Sequence, residues 1–425
     1  MAAPARPKPP RAGLFAPLRD GPFRLLAGGR VISMVGNAMA PIALAFAVLD
    51  LTGSVRDLGL VVGARSLTNV AFLLFGGVIA DRLPRRVVLT VACALAALTQ
   101  GMVATLVLTG TATIGWLAGL AAINGLVSSF AFPAAGALQA QAVPPPLRQQ
   151  ANALTRVGLT SASILGAALG GVLVAGVGPG WGLAADAVTF VLAGACFAGV
   201  RVPDVRAARA AGGMLHELRV GWAEFVARTW VWVVVLAFCF INAAEVGAVQ
   251  VLGPAVADAT VGRRAWGLIL AAQTAGMVVG ALIAMRLRLR RLLRWGIFGA
   301  AGGVGLLVAL AVAPRIAVLL PAAFLTGIVM EQFAVAWETT IQEYIPPDKY
   351  ARVYSFDALG SFAAIPIGQV VAGPVAAAVG VTPTLLGAAG ITVLAVAGML
   401  VSRDVRTLER RPAALPSAPE PAPVG

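Results

Sequence analysis

Apolar residues run along this chain in long blocks, and the polar residues between them come in short clusters. Twelve blocks stand out: 23–50, 57–80, 87–109, 113–142, 151–177, 181–201, 230–257, 264–285, 295–313, 315–342, 353–379 and 382–402. Each approaches or exceeds the roughly 20 residues that a helix needs to cross a bilayer, and the longer ones leave room for tilt. None shows the short alternating pattern of a membrane barrel strand. The pattern predicts an all-α integral membrane protein with twelve transmembrane helices. Interior Pro41, Pro133, Pro254 and Pro366 are compatible with helices of this kind.

The connectors set the orientation. With the N-terminus placed inside, the 32 Lys and Arg divide unevenly. Four (Arg56, Arg263, Arg264 and Arg315) fall outside, two (Arg65 and Arg156) fall within spans, and all the others lie at the inner side. That bias places both termini in the cytoplasm. It also accounts for the net charge of +14, which in a soluble protein would point to nucleic acid; no nucleic-acid partner is expected. The composition is 59% hydrophobic and 12% charged, with a mean hydropathy of +0.89. A soluble enzyme or soluble binding module could not cover that much apolar surface.

The organisation follows from the longest connector, 202–229, which separates six-helix bundles at 23–201 and 230–403. Its later part, Leu215 to Val226, has apolar residues at helical spacing and predicts an amphipathic helix on the inner membrane surface. The arm 1–22 is rich in Pro and Arg and lacks the apolar core of a cleavable signal. The tail 404–425 is Pro- and Ala-rich and reads as disordered. The two bundles repeat. Val143-Pro144-Pro145 matches Ile345-Pro346-Pro347 at an offset of 202, and the same offset pairs Gly166 with Gly368, Gly171 with Gly373 and Gly178 with Gly380. Parallel repeats imply pseudo-symmetric bundles with a substrate site at their interface, near mid-membrane.

The loop after the second span carries the most specific motif. Gly77-Val78-Ile79-Ala80-Asp81-Arg82-Leu83-Pro84-Arg85-Arg86 resembles the signature Gly-x-x-x-Asp-Arg-x-Gly-Arg-Arg/Lys of the major facilitator superfamily, with Pro84 at the usual Gly. Arg30 to Asn37 and Ala45 to Ser54 resemble its bacterial macrolide-efflux and enterobactin-exporter-like branch, whose members often carry Asp at the place of Asn37. Gly166-Ala167-Ala168-Leu169-Gly170-Gly171 resembles the antiporter signature Gly-Pro-x-x-Gly-Gly, although small residues at this spacing also serve close helix packing. The resemblance implies the major facilitator fold. It also suggests that Gly77, Asp81, Arg82, Arg85 and Arg86 latch the two halves together.

Ionisable residues deep in a membrane are costly and usually functional. Glu245 lies midway along the seventh span and Glu331 past the middle of the tenth, helices that the resemblance places at the cavity. Both are candidate proton sites. Asn37, Asn124, Arg65, Gln250 and Trp337 are candidates to line the same cavity, a mixture suited to amphipathic molecules. Asp50 and Asp57 read as surface acids facing water and Arg56. Cys93, Cys196 and Cys239 sit in apolar runs, and the lone His216 has no ligating neighbours, so no metal, cofactor or catalytic constellation is expected. No phosphate-binding glycine loop is present. The expected activity is secondary transport: proton-coupled efflux of a small amphipathic compound such as a drug or secondary metabolite. Proton-coupled import and a non-transporting sensor are the alternatives. The expected partners are the substrate, protons and the lipid bilayer, and the expected state is a monomer.

Overall fold

The computed structural model describes residues 15–144, 147–202, 219, 222–287 and 289–409, without the side chains of 73–82 and a few other helical positions. The described regular structure is helical. The first half holds α1 (Gly21–Thr52), α2 (Val55–Arg82), α3 (Arg85–Leu108), α4 (Ile114–Ala142), α5 (Arg148–Val177) and α6 (Pro179–Gly199). The second half holds α7 (Thr229–Ala259), α8 (Arg263–Ala284), α9 (Leu292–Val312) and α10 (Ile316–Tyr344). It ends with α11, in two pieces (Pro347–Phe362 and Ile365–Val379), and α12 (Val381–Val401). Among the described residues, 11 of these helices are long and apolar enough to cross a membrane, and α2 packs among them as the twelfth. The chain is a multi-pass membrane protein with these twelve helices.

Three helices are interrupted, each for a local reason. Pro254 cannot donate to the carbonyl of Gln250, and α7 takes a π turn over Ala248–Leu252 there. Pro366 leaves the carbonyl of Phe362 without its donor, and α11 breaks between Phe362 and Ile365. Helix α9 breaks at Ala300 and Ala301, just before Gly302 and Gly303. The expected start of the eleventh helix, at 353, is six residues late. Its first turns carry Asp348, Lys349 and Arg352, so hydropathy does not register them.

The halves repeat in their packing. In the first, α1 packs on α5 and α6, α3 on α4 and α6, and α2 on α4. In the second, α7 packs on α11 and α12, α9 on α10 and α12, and α8 on α10. Across the interface α5 meets α8, and α2 meets α11. Both crossings are tightest near the ends away from the chain termini. A Cβ on Gly171 would lie 2.9 Å from the Cα of Gly267, and one on Gly373 would lie 2.5 Å from the Cα of Arg56. The backbones themselves touch there, as small residues allow between membrane helices. Gly178 and Gly380 share a φ of +95°, so the turns into α6 and α12 are also equivalent.

An ion pair closes the same end. Arg263, at the start of α8, donates from Nη1 to Asp50 Oδ2 at 2.8 Å, with a second bond from Nη2 to Asp50 Oδ1. It also donates from Nε to Asp258 Oδ1 at 2.8 Å, and its guanidinium lies 4.9 Å over the ring of Phe46. Asp50 therefore ties α1 to the second half instead of simply facing water. We term this end the far face and the end of the termini the basic face.

At the basic face the described end of the linker docks onto protein. Phe225 is buried, and Trp222 lies 5.7 Å from Phe225 and 5.6 Å from Phe356, ring centre to ring centre. The described part of the expected amphipathic helix, Trp222–Val226, packs on α11 through Trp222 and Phe225, and 203–218 and 220–221 lie outside the described residues. Glu224 accepts from Lys349 of α11 and, at 2.7 Å, from Arg228. These two bonds, Lys349 first, hold its carboxyl below the ordinary value of 4.5.

Two outcomes follow. Gly267→Leu inserts a side chain between touching backbones, where overpacking costs about 1–3 kcal/mol. It should lower the midpoint of thermal unfolding in detergent by at least about 2 °C, and an unchanged midpoint would show that this contact does not close the far face. The Glu224 bonds stabilise the docked linker above the ordinary carboxyl range and lose that effect as pH falls through the depressed value. Hydrogen-exchange protection of Trp222–Val226 should fall below about pH 4.5 in the native chain and be independent of pH in Glu224→Gln.

Candidate functional site

Helix α2 leads from the seal into the molecule. Beyond Arg56 and Gly59, where the halves touch, Val62, Arg65, Ser66 and Asn69 line a cavity of about 370 Å³. Pro41 and Leu44 of α1 and Gln250, Phe362 and Ile365 of the second half complete its wall. Arg65 is held in place because α2 lies against α4. Thr68 Oγ1 donates to the Ala122 carbonyl at 2.7 Å, and Gly125 has no Cβ to meet the Arg65 carbonyl. Gln250 sits in the π turn of α7 and accepts from Gln369 Nε2 at 2.7 Å. The structure therefore brings Arg65 and Gln250 to one cavity from opposite halves.

A larger cavity of about 710 Å³ lies in the first half, nearer the basic face. Its wall carries Arg30 of α1, Gln139 of α4, and Arg148, Asn152, Thr155 and Arg156 of α5. Arg30 Nη1 donates to Gln139 Oε1, and Gln139 Nε2 donates to Asn152 Oδ1 at 2.8 Å, so an amide relay joins three helices. Arg156 Nη2 reaches Glu331 Oε1 of α10 at 3.5 Å, an ion pair between the halves. Its two members differ in exposure, with the side chain of Arg156 79% exposed and that of Glu331 7%. Glu331, expected at the cavity, meets it only through Arg156, and Arg30, Gln139, Asn152, Thr155 and Arg156 were not among the expected site residues. The signal was there, since Arg156 is a charge inside an apolar span, but Arg30 is absorbed into the topology bias.

Several expected cavity residues lie elsewhere. Glu245 points into the interior of the second half, where α9 breaks. A Cβ on Gly303 would lie 2.1 Å from Glu245 Oε2, so the glycine leaves room for the carboxyl. Glu245 is 5% exposed, and its Oε1 has no hydrogen-bond partner. Trp337 belongs to the core of the second half, stacked on Phe333 and edge-on to Trp230, and its Nε1 donates to Asp357 Oδ2 at 3.0 Å. Asn124 is buried between α4 and α3, where its Nδ2 meets Thr99 Oγ1 at 3.5 Å. Asn37 turns back to the carbonyl of Ser33 in its own helix at 2.9 Å. None of these four lines either cavity.

Two buried acids escaped attention because their helices were not expected at the cavity. Asp186 of α6 is fully buried, accepts from Gln100 Nε2 of α3, and fills the space left by Gly36 of α1. Asp357 of α11 accepts from Trp337 and, at 3.3 Å, from Ser361 Oγ. The glycine motif divides its work. Gly166 and Gly170 lie against Val35 and Met39 of α1, while Gly171 faces α8. The side chains of Asp81 and Arg82, and Gly77 with them, lie outside the described residues; Arg85 is half-buried and Arg86 exposed. Among the described residues, no group of His, Cys, Asp and Glu could hold a metal ion.

A family model described as transmembrane secretion effector, MFS_3, matches residues 12–423. A search of curated proteins finds no match. Among solved structures, the fold is similar to a bacterial homologue of the human lysosomal transporter Spinster in its inward-facing, unoccupied conformation. That pair has a TM-score of 0.75 and 14% identity over 94% of this chain and 99% of the other. The nucleoside transporter NupG gives 0.69 at 14% identity, over 89% and 98% of the two chains. A bacterial homologue of the iron transporter ferroportin in an inward-facing state gives 0.71 at 16% identity, also over 89% and 98%. At these identities the likeness establishes the major facilitator fold.

The contact between Glu245 and Gly303 can be isolated by a double-mutant cycle. Gly303→Ala places a methyl on the carboxyl and should lower the thermal midpoint by about 2 °C or more. In a Glu245→Ala background the same change should cost at most a small fraction of that. Equal losses in both backgrounds would show that the glycine does not house this carboxyl.

Proposed function

We propose, since the chain belongs to the transmembrane secretion effector family, that it is a secondary exporter of small amphipathic compounds working against proton entry across the inner membrane. The observation that carries this reading is the one-ended closure. The halves touch backbone to backbone at the far face, while two cavities lie between that seal and the basic face. Such a cleft serves transport when the seal opens and the opposite end closes around the same site. The charge bias supports a cytoplasmic basic face, and the cleft then loads from inside. Its central part offers apolar Pro41, Leu44, Val62 and Phe362 beside Arg65, Asn69 and Gln250. That surface suits an amphipathic molecule better than a sugar.

Glu245 is the first candidate for the proton site and Glu331 the second. Glu245 is a buried acid with an unmade hydrogen bond at a helix break, where gain or loss of a proton can change how α7 sits against α9. Glu331 ties the two halves through Arg156. The latch at Asp81, Arg85 and Arg86 belongs to the opposite phase of the cycle, when the basic face closes.

The test uses purified protein in proteoliposomes with a trapped pH dye and a panel of amphipathic compounds that are neutral, cationic and anionic. A substrate should trigger proton counter-flow in the native protein, and Glu245→Gln should reduce it at least about tenfold, as expected for a proton-transfer group. Proton movement with the substrate instead of against it would establish import. Proton-coupled flux retained in both Glu245→Gln and Glu331→Gln, or no flux with any compound, would overturn the reading.

A further inference from the structure

The larger cavity has a chemistry of its own. Three guanidinium groups, Arg30, Arg148 and Arg156, converge on it, and no acidic residue is among the described residues of its wall. Glu331 touches it only through Arg156. The positive-inside bias explains arginines at this face. It does not require three of them to share one cavity. Nor does it explain the relay from Arg30 through Gln139 to Asn152, which fixes one guanidinium and one amide at the wall.

Thr155 supplies an independent observation. It lines the same cavity, is 5% exposed, and its Oγ1 has no hydrogen-bond partner. A buried hydroxyl without a partner is costly, and at a cavity wall an acceptor oxygen on a ligand would satisfy it. Arg156 has five N–H donors, and its contact with Glu331 leaves others for a ligand. Guanidinium forks together with a hydroxyl donor match the oxygens of a carboxylate or phosphate. Val143 and Leu159 in the wall, and the apolar surface of the central cavity, suit a hydrocarbon body.

We infer that the cavity between α1, α4 and α5 is a recognition site for the oxyanion head of an amphipathic substrate, held by Arg30, Arg148, Arg156 and Thr155. This names the substrate class for the exporter reading and rests on it only for the direction of movement. The site discriminates against cationic amphiphiles, which would meet three like charges.

Binding in neutral detergent micelles tests the site without any need for flux. The probes are octyl phosphate, octanoate, octanol and octyltrimethylammonium. At low salt the two anions should bind at least about tenfold tighter than the other two. Arg156→Gln and Arg30→Gln should each weaken the anions about tenfold and leave octanol unchanged. Arg156→Lys should keep most of the preference, and Thr155→Val should weaken the anions a few-fold. Thermal unfolding of each variant separates lost binding from lost folding. A competition arm adds phosphatidylglycerol. Displacement of octyl phosphate by this lipid assigns the head group to the bilayer, and displacement by octanoate alone assigns it to a soluble amphiphile. Either supports the oxyanion site, and displacement by neither overturns it. Equal affinity for all four probes, or undiminished anion binding in both folded Gln variants, also overturns it. Anion preference without flux in proteoliposomes would leave the site standing and remove the export reading. Flux without anion preference would do the reverse.

Discussion

The structure depends on one constraint. Membrane helices gain little by burying apolar side chains against each other, because lipid is equally apolar. The two halves can therefore hold together firmly only where their backbones come close enough to touch. Gly171 against Gly267 and Gly373 against Arg56 meet this condition at the far face, and Arg263 with Asp50 adds a charge-assisted clasp. Toward the basic face α5 carries Thr155 and Arg156, and α2 carries Arg65 and Asn69, all of which line cavities. From Arg156 to Gly171 is about 22 Å along α5, a large share of the thickness of a bilayer core. Helices α2 and α5 thus each carry part of the seal and part of a cavity wall.

The same distribution governs the buried charges. An ionised group in low dielectric must be paired or reach water. Arg30 and Arg156 solve this by lining a cavity, and the buried Asp186 accepts from Gln100 beside a glycine of the facing helix. Glu245 occupies a space made by Gly303, and one of its oxygens remains unmade. In both halves an acid enters the bundle where a facing glycine provides room. Two unlike acids, from helices that are not equivalents in the repeat, arrived at the same local solution.

The helices were legible in the sequence because hydropathy reports directly what a bilayer requires. The expected and observed ends agree within a few residues except at α11, whose polar first turns project beyond the apolar block. The repeat was legible too, since Gly166 with Gly368 and Gly171 with Gly373 occupy matching contacts. The site was much less so. Choosing α7 and α10 for the acids identified helices, but a helix that is apolar all round carries no stripe to show which face looks inward. Glu245 and Trp337 sit on α7 and α10, yet both face the interior of their own half. Arg65 and Gln250 proved different because a glycine contact and a π turn aim them at the cleft. Arg30 and Arg156 were hidden for another reason: topology already gave arginine an explanation, so their shared cavity had no separate signal.

Arg156 also constrains how substrate and proton can be coupled. It is shared between the oxyanion cavity and Glu331. An anion that shares Arg156 with Glu331 sets one cation between two anions, and neutrality is then restored if Glu331 carries a proton. Anion and proton at this pair would load together and travel the same way, which is the opposite of exchange. For the proposed exchange, a proton site outside this pair avoids that joint loading. Glu245, inside the second half and away from the arginines of the cavity, meets that condition, which ranks it above Glu331 for an exporter of anions. The membrane potential favours the same direction. Each negative charge moved out of a compartment that is negative inside gains about 2.3 kcal/mol per 100 mV. For the exporter proposed above, an anionic substrate would therefore draw part of its driving force from the membrane potential, and proton entry would supply the remainder.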